Sequence, residues 1–253
     1  MPATGLRATA RIRAVRDGRG GTVLPLLAGE GPLALRRVRG SGTEAGVTLV
    51  GAMSAPLGGD RLVVRASLEP GAALRLTSAA ATLALPGRGG EPAHYAVDLD
   101  LADGAALRWL PEPLVSVRGS DLRVHTRIRL AAGARLLYRE EQVLGRAGEE
   151  SGLLRSRLTA HLAGRHLLDQ ELSCGPGAPG GWDGPAGLAG HRALGQLLVV
   201  DPRFAEEPPP ARILGDHAVA APLAGPAVLV TVLATDALRL RELLDSATEM
   251  YAW

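Results

Sequence analysis

The stretch "AVDLDLADGAALRWLP" (residues 96–111) alternates apolar and polar residues on both sides of a Gly-Ala turn. It has two counterparts, "VVRASLEPGAALRLTS" (63–78) and "HTRIRLAAGARLLYRE" (125–140). The turn glycines Gly71, Gly104 and Gly133 recur at intervals of about thirty residues, a period that marks one stacked supersecondary unit per copy. A weaker fourth copy, "LTAHLAGRHLLDQEL" (158–172), turns at Gly164 with its first strand slipped by one residue.

Successive side chains of a strand point to opposite faces. Val64, Ala66 and Leu68 therefore share a side, as do Val97, Leu99 and Leu101, and Thr126, Ile128 and Leu130. Beyond the turns, Leu74 and Leu76 match Leu107 and Trp109, then Leu136 and Tyr138. These residues form one side of a core. The opposite face carries Arg65 and Ser67, then Asp98 and Asp100, then Arg127 and Arg129. Copies stacked in chain order bring opposite charges face to face, each pair contributing a few tenths to about 1 kcal/mol. The charge order thus favours a stacked, β-helix-like or solenoid-like body over separate hairpins.

The expected layout is one mostly β domain over 1–253, with the repeat body at about 47–173. A Gly/Pro-rich loop follows at 174–190, and "EEPPPA" (206–211) makes a second break. "RALGQLLVV" (192–200) reads as a buried strand. A C-terminal strand, "AVLVTVLA" (227–234), and a helix complete the segment 227–252. In the helix, Thr235 reads as the N-cap with Asp236 in the first turn. Ala237, Leu240, Leu244, Ala247 and Tyr251 make its apolar stripe. Arg241 and Asp245 are spaced to pair with each other.

At 46% hydrophobic residues the chain is globular. No apolar run reaches the roughly 18–20 residues that span a membrane. The basic N-terminus, "MPATGLRATARIRAVR", has no apolar stretch, so the expected compartment is the cytoplasm. Cys174 is the single cysteine, which excludes an internal disulfide and a Cys-based zinc site. All 28 basic residues are arginine, a pattern that GC-rich codon usage accounts for. A net charge of +2 and 3% aromatic residues argue against nucleic-acid binding.

No nucleophile elbow, phosphate loop or metalloprotease pattern is present. His161 and His166 flank a predicted turn, where a solvated turn is the alternative to a pair of metal ligands. His125 falls on the outer, Arg-rich face. Cys174 reads as an incidental thiol. Soon after the turn glycines come Glu112, Glu140, Glu141 and Glu171, which stacking would gather at one end of the strands. Clustered carboxylates need solvent, arginine partners or a cation. Two readings follow: a solvated rim with Arg139 and Arg146 as partners, or a carboxylate-lined passage in transient contact with a divalent metal. "LRWLPEPL" (107–114) makes Trp109 a core anchor, and the Pro-Glu-Pro corner orients Glu112. "LGGDRLVV" (57–64) reads as a turn into the first repeat strand, with Asp60 at its entry.

Taken in order, "LGGDRLVV", "PGAALRLTSAAAT", "GAALRWLPEP" and "GARLLYREEQVLGRA" resemble the serial signature of the UreD, or UreH, family of urease accessory proteins. The resemblance runs from about Val47 to Leu172. It departs from the family pattern at Ser54-Ala55-Pro56 and in the apolar run after Thr77. It implies a cytoplasmic, mostly β scaffold that is not an enzyme. Such a scaffold joins the accessory proteins UreF and UreG, the latter a GTPase, and docks on urease apoprotein. It implies nickel in transit through the scaffold and no tightly bound cofactor. The characteristic positions fall on Gly58, Gly59, Asp60, Thr77, Trp109, Pro111, Glu112, Glu140, Gly145 and Arg146. Among these, Asp60, Glu112 and Glu140 are the candidates to line a metal route. Two alternatives from other classes stand beside it. One is a glycan hydrolase on a β-solenoid with Asp60 and Glu112 as its acid–base pair. The other is a metal-free β binding module.

Overall fold

Each repeat copy folds as an arch whose two strands enter different sheets. The computed structural model describes residues 5–253. Strands β1 (Arg7–Arg16), β2 (Thr22–Ala28), β3 (Leu33–Val38) and β4 (Ala45–Gly51) precede the repeats. The first copy gives β5 (Arg61–Leu68) and β6 (Ala73–Ser78), followed by the short β7 (Thr82–Ala84). The second gives β8 (Ala93–Leu101), β9 (Ala106–Leu110) and β10 (Leu114–Ser116). The third gives β11 (Asp121–Leu130) and β12 (Arg135–Leu144). Then come β13 (Leu153–Leu162), β14 (Arg165–Cys174) and β15 (Ala193–Val200). The chain ends with β16 (Arg212–Gly215), β17 (Ala218–Pro222), β18 (Ala227–Ala234) and the helix α1 (Ala237–Tyr251).

The first sheet runs β14-β13-β11-β8-β5-β1-β2, and the second runs β16-β17-β18-β15-β12-β9-β6-β4-β3. The repeat strands pair in parallel and in register, Val64 to Val97 and Val97 to Thr126 in one sheet, Leu76 to Trp109 and Trp109 to Tyr138 in the other. The coils so formed resemble a β-solenoid. All the core residues expected from the alternation are buried between the sheets. Each fully buried leucine there contributes roughly 1.5–3 kcal/mol. The outer-face charges meet as expected. Asp98 lies 3.4 Å from Arg65 and 2.6 Å from Arg127, and Asp100 pairs with Arg129.

The fourth copy does not form an arch. The first three copies join their strands through four residues. Here only Ala163 and Gly164 intervene, both with positive φ (49° and 77°). That two-residue turn sends β14 back antiparallel to β13 within the same sheet.

β15 is buried along its whole length, apolar but for Gln196, which donates to Gln170 Oε1 at 3.0 Å. One face joins the inter-sheet core. The other packs, with β18, under Leu240, Leu244, Ala247 and Tyr251 of the helix. Ala237 is only partly buried. The N-cap is Asp236, which accepts from the Arg239 amide at 2.9 Å. Thr235 precedes it and donates to the Asp236 carboxylate. Arg241 and Asp245 do not pair with each other, because both reach instead to the second sheet. Residues 175–190 form turns without a regular element. No helix of the described residues is long and apolar enough to cross a membrane.

Candidate functional site

β12 continues past the arch-side core and changes chemistry as it goes. Leu136 and Tyr138 face inward, and the same alternation points Glu140 and Gln142 into the gap between the sheets. This is the end of the stack opposite the arches. The polar end of β12 lines a cavity of about 60 Å³ together with Ser78, Tyr95, Thr126 and Glu112. The Tyr138 hydroxyl lies 3.0 Å from Thr126 Oγ1 and donates to Glu140 Oε2 at 3.1 Å. Burial pushes the Glu140 carboxyl up to about 7, against the pull of the Tyr138 hydrogen bond. Burial likewise raises the Tyr138 and Tyr95 phenols, so both remain neutral donors. Gln142 Oε1 is buried without a hydrogen-bond partner. No arginine pairs with Glu140 among the described residues.

The neighbouring side chains on β12 face the other way. Arg139 and Glu141 lie under α1, and a chain of charges ties helix to sheet there. Arg241 holds both oxygens of Glu112, at 3.0 and 3.3 Å, and reaches Glu141 Oε1 at 2.8 Å. Arg139 contacts Glu141 at 3.0 Å and Asp245 at 2.6 Å. The Arg139 Nε and Glu141 Oε1 atoms are close but not aligned as a hydrogen bond, so that contact is chiefly Coulombic. Burial raises the Glu141 carboxyl, with Arg139 and Arg241 opposing it. A buried carboxylate is tolerable here only because two guanidinium groups flank it.

The expected carboxylate cluster therefore divides. Glu112 and Glu140 share the cavity. Glu141 also borders it, but its carboxylate is held by Arg139 and Arg241 in the helix-docking network. Glu171 is not at this end of the second sheet: the hairpin places it, exposed, on β14 of the first sheet. Of the two arginines expected at a solvated rim, Arg139 does pair with the cluster. Arg146 instead forks onto Glu149, with two contacts of 2.8 Å.

Asp60 is buried at the entry to β5 and does not line the cavity. Its Oδ1 accepts from the Leu6 amide and its Oδ2 from the Leu57 amide, each at 2.8 Å. It thus ties the N-terminal segment to the turn. The two glycines of that turn are required for different reasons, Gly58 by close backbone approach and Gly59 by its positive φ. A Cβ on Gly58 would lie 2.6 Å from the Gly87 nitrogen, and Gly59 has φ +93°. Trp109 is buried and stacks on Tyr138, with ring centres 6.2 Å apart. Thr77 pairs with Thr48 and Leu110, Pro111 lines the cavity, and Gly145 turns the chain out of β12 with φ +79°.

The His161 and His166 rings lie 4.3 Å apart across the hairpin. Among the described residues, no three His, Cys, Asp or Glu side chains converge as a metal site. Cys174 is fully buried, and burial pushes its thiol up to about 11. Asp60 and Glu112 do not share one cavity, so the acid–base pair of a glycan hydrolase is not assembled. Sequence reasoning missed two participants, the Thr126–Tyr138–Glu140 chain and Arg241. The first had a signal: Glu140 and Gln142 share the parity of the core residues Leu136 and Tyr138. Arg241 had none, because its partners lie a hundred or more residues away.

Comparison with known proteins adds an independent line. The family model described as "UreD urease accessory protein" matches residues 6–252. The chain is 67% identical to the urease accessory protein UreD of Streptomyces coelicolor over 97% of this chain and 96% of that one. It is 65% identical to the UreD of Streptomyces avermitilis over 98% of each. With that of a Parafrankia species it shares 44% identity over 96% of this chain and 88% of the relative. The chain belongs to the UreD family of urease accessory proteins, maturation factors rather than enzymes.

Proposed function

We propose that the chain acts in the cytoplasm as a non-catalytic scaffold that joins UreF and UreG, docks on urease apoprotein and hands nickel through its inter-sheet cavity. The observation that carries this reading is Glu140, a carboxyl without a cationic partner, facing a cavity and held near pKa 7. At neutral pH such a group is shared between its protonated and ionised forms. An arriving divalent cation favours the ionised form and displaces the proton. Oxygen donors without imidazole or thiolate bind nickel loosely, which suits passage over residence. Glu112 is the second donor, restrained by Arg241. Asp60 contributes by fixing the entry turn.

The test is urease activation in cells with limiting nickel. Glu140→Ala should lower activation while the complex with UreF and UreG still forms. Full activation with Glu140→Ala would remove Glu140 from the route.

A further inference from the structure

The outer face of the first sheet carries charge in rows, one row per register position. Two rows place an acid among the arginines. In one, Arg65 and Arg127 flank Asp98; in the other, Asp100 meets Arg129. A third row, nearest the start of the strands, is different. Reading across five parallel strands, it is Arg7, Arg61, His94, Arg123 and Arg155, each opposite the next. It contains no acid. Among the described residues, Arg7 and Arg61 make no ion pair. Arg123 and Arg155 reach only a shared Asp121, at 4.0 and 3.9 Å. Like charges directly opposite on adjacent strands are destabilising. The row therefore carries a cost that Asp98 and Asp100 relieve in the neighbouring rows.

A shallow groove of about 470 Å³ runs over this row, with Arg61, His94, Arg123 and Arg155 along it. Burial lowers the His94 pKa, and Arg61 and Arg123 lower it further. With His94 held toward its neutral form, the positive charge of the strip comes from Arg61, Arg123 and Arg155, which the distant Asp121 offsets only in part. At about 4.8 Å between strands, five strands span about 19 Å. That is the length of roughly six residues of extended chain.

We infer that this row is a docking strip for an acidic, extended segment of a partner protein. A protein fits better than a nucleic acid for two reasons. The one tyrosine along the groove, Tyr95, is half-buried and also lines the inter-sheet cavity. Beside the imidazoles of His94 and His125, the strip therefore has no exposed tyrosine, tryptophan or phenylalanine face on which a base would stack, and base stacking is what holds single strands on such sheets. Asp121 and Glu171 also border it, and they would repel a continuous phosphate backbone while leaving room for spaced carboxylates.

The test uses the full chain and a labelled alternating Glu-Ser peptide of about eight residues, enough to cross the strip. Binding is followed by fluorescence anisotropy over a salt titration. The wild type should bind, and more weakly as salt rises. Arg61→Gln/Arg123→Gln/Arg155→Gln should weaken binding about tenfold or more. A charge-matched control, Arg36→Gln/Arg37→Gln/Arg39→Gln, alters exposed arginines elsewhere on the surface and should stay within about twofold. Three outcomes would overturn the inference: no binding by the wild type, equal losses in the two variants, or tighter binding of a single-stranded oligonucleotide than of the peptide. If the triple variant folds poorly, the salt dependence and the peptide-against-oligonucleotide comparison on the wild type still decide the matter.

Discussion

Tyr138 donates its hydroxyl to Glu140 across 3.1 Å, two residues along one strand and on the same face of it. The pair marks the point at which the apolar inter-sheet core gives way to a polar cavity. Its charge state has thermodynamic consequences that can be measured apart from any nickel chemistry.

Glu140 has a folded pKa near 7 against an ordinary 4.5. The folded state thus holds this proton more tightly than the unfolded state. The fold bears no cost from Glu140 below about pH 4.5, a growing cost as pH rises toward 7, and the full cost above it. Glu140→Gln mimics the protonated form. Because the residue is partly open to solvent, we expect a gain of about 1–3 kcal/mol at pH 8 and almost none at pH 4.5. Urea denaturation at the two pH values checks this. A gain in stability paired with a loss of urease activation would separate structural from functional roles.

Asp98 works in the opposite direction. Burial alone would raise its carboxyl, but the hydrogen bonds and charges of Arg127 and Arg65 outweigh it and hold it below the ordinary 3.8. Its stabilisation is present above pH 3.8 and is lost as pH falls through the depressed folded value. Asp98→Asn should cost about 1 kcal/mol at pH 7, with the difference from wild type closing in strong acid. Thermal unfolding across an acid series reads both the cost and its disappearance.

Arg241 anchors the helix to the sheet by holding Glu112 and the enclosed Glu141. Arg241→Ala leaves Glu141 with one misaligned partner and should cost about 3 kcal/mol. Adding Glu141→Leu should recover much of that, because the exposed cost is an unpaired buried charge and not a lost contact. Chemical denaturation of the single and double variants makes the comparison.

Gly58→Ala should destabilise by about 1–3 kcal/mol, because the new methyl meets backbone atoms of Gly87 and Glu91 that no rotamer change can move. Gly18→Ala, where nothing lies within 4 Å, should be close to neutral. Matched melting curves of the two variants test the close approach.

Much of this architecture is legible in the sequence because it is periodic. Alternation assigns the core faces, and the Arg–Asp–Arg order at equivalent positions identifies neighbours across coils before any coordinates are known. The helix stripe and the two C-terminal strands are local patterns and read equally well. What escapes is the set of strands outside the repeats, β1–β4, β16 and β17, and the consequence of length in one connection. Two residues at Ala163–Gly164, in place of four, convert an arch to a hairpin and carry Glu171 to the wrong sheet for the cavity. Arg241 escapes for another reason. Its spacing to Asp245 suits a helical pair, but the buried Glu141 is the stronger claim on its charge. Asp60 was visible as a strand-entry residue. Its Oδ2 is taken by the local Leu57 amide, but that its Oδ1 is taken as well follows only from where Leu6 lies.

The hairpin of β13 and β14 also decides where the sheet stops. A stack of parallel coils leaves its last strand ready to accept another, whether from the same chain or from a second molecule. Here β14 reverses direction, carries Arg165, Asp169, Gln170 and Glu171, and follows a bulge at Ala160/His161. A polar, kinked, antiparallel rim offers no template for a further coil in register. It caps this end of the solenoid, where a repeat built to propagate would otherwise present an open parallel edge.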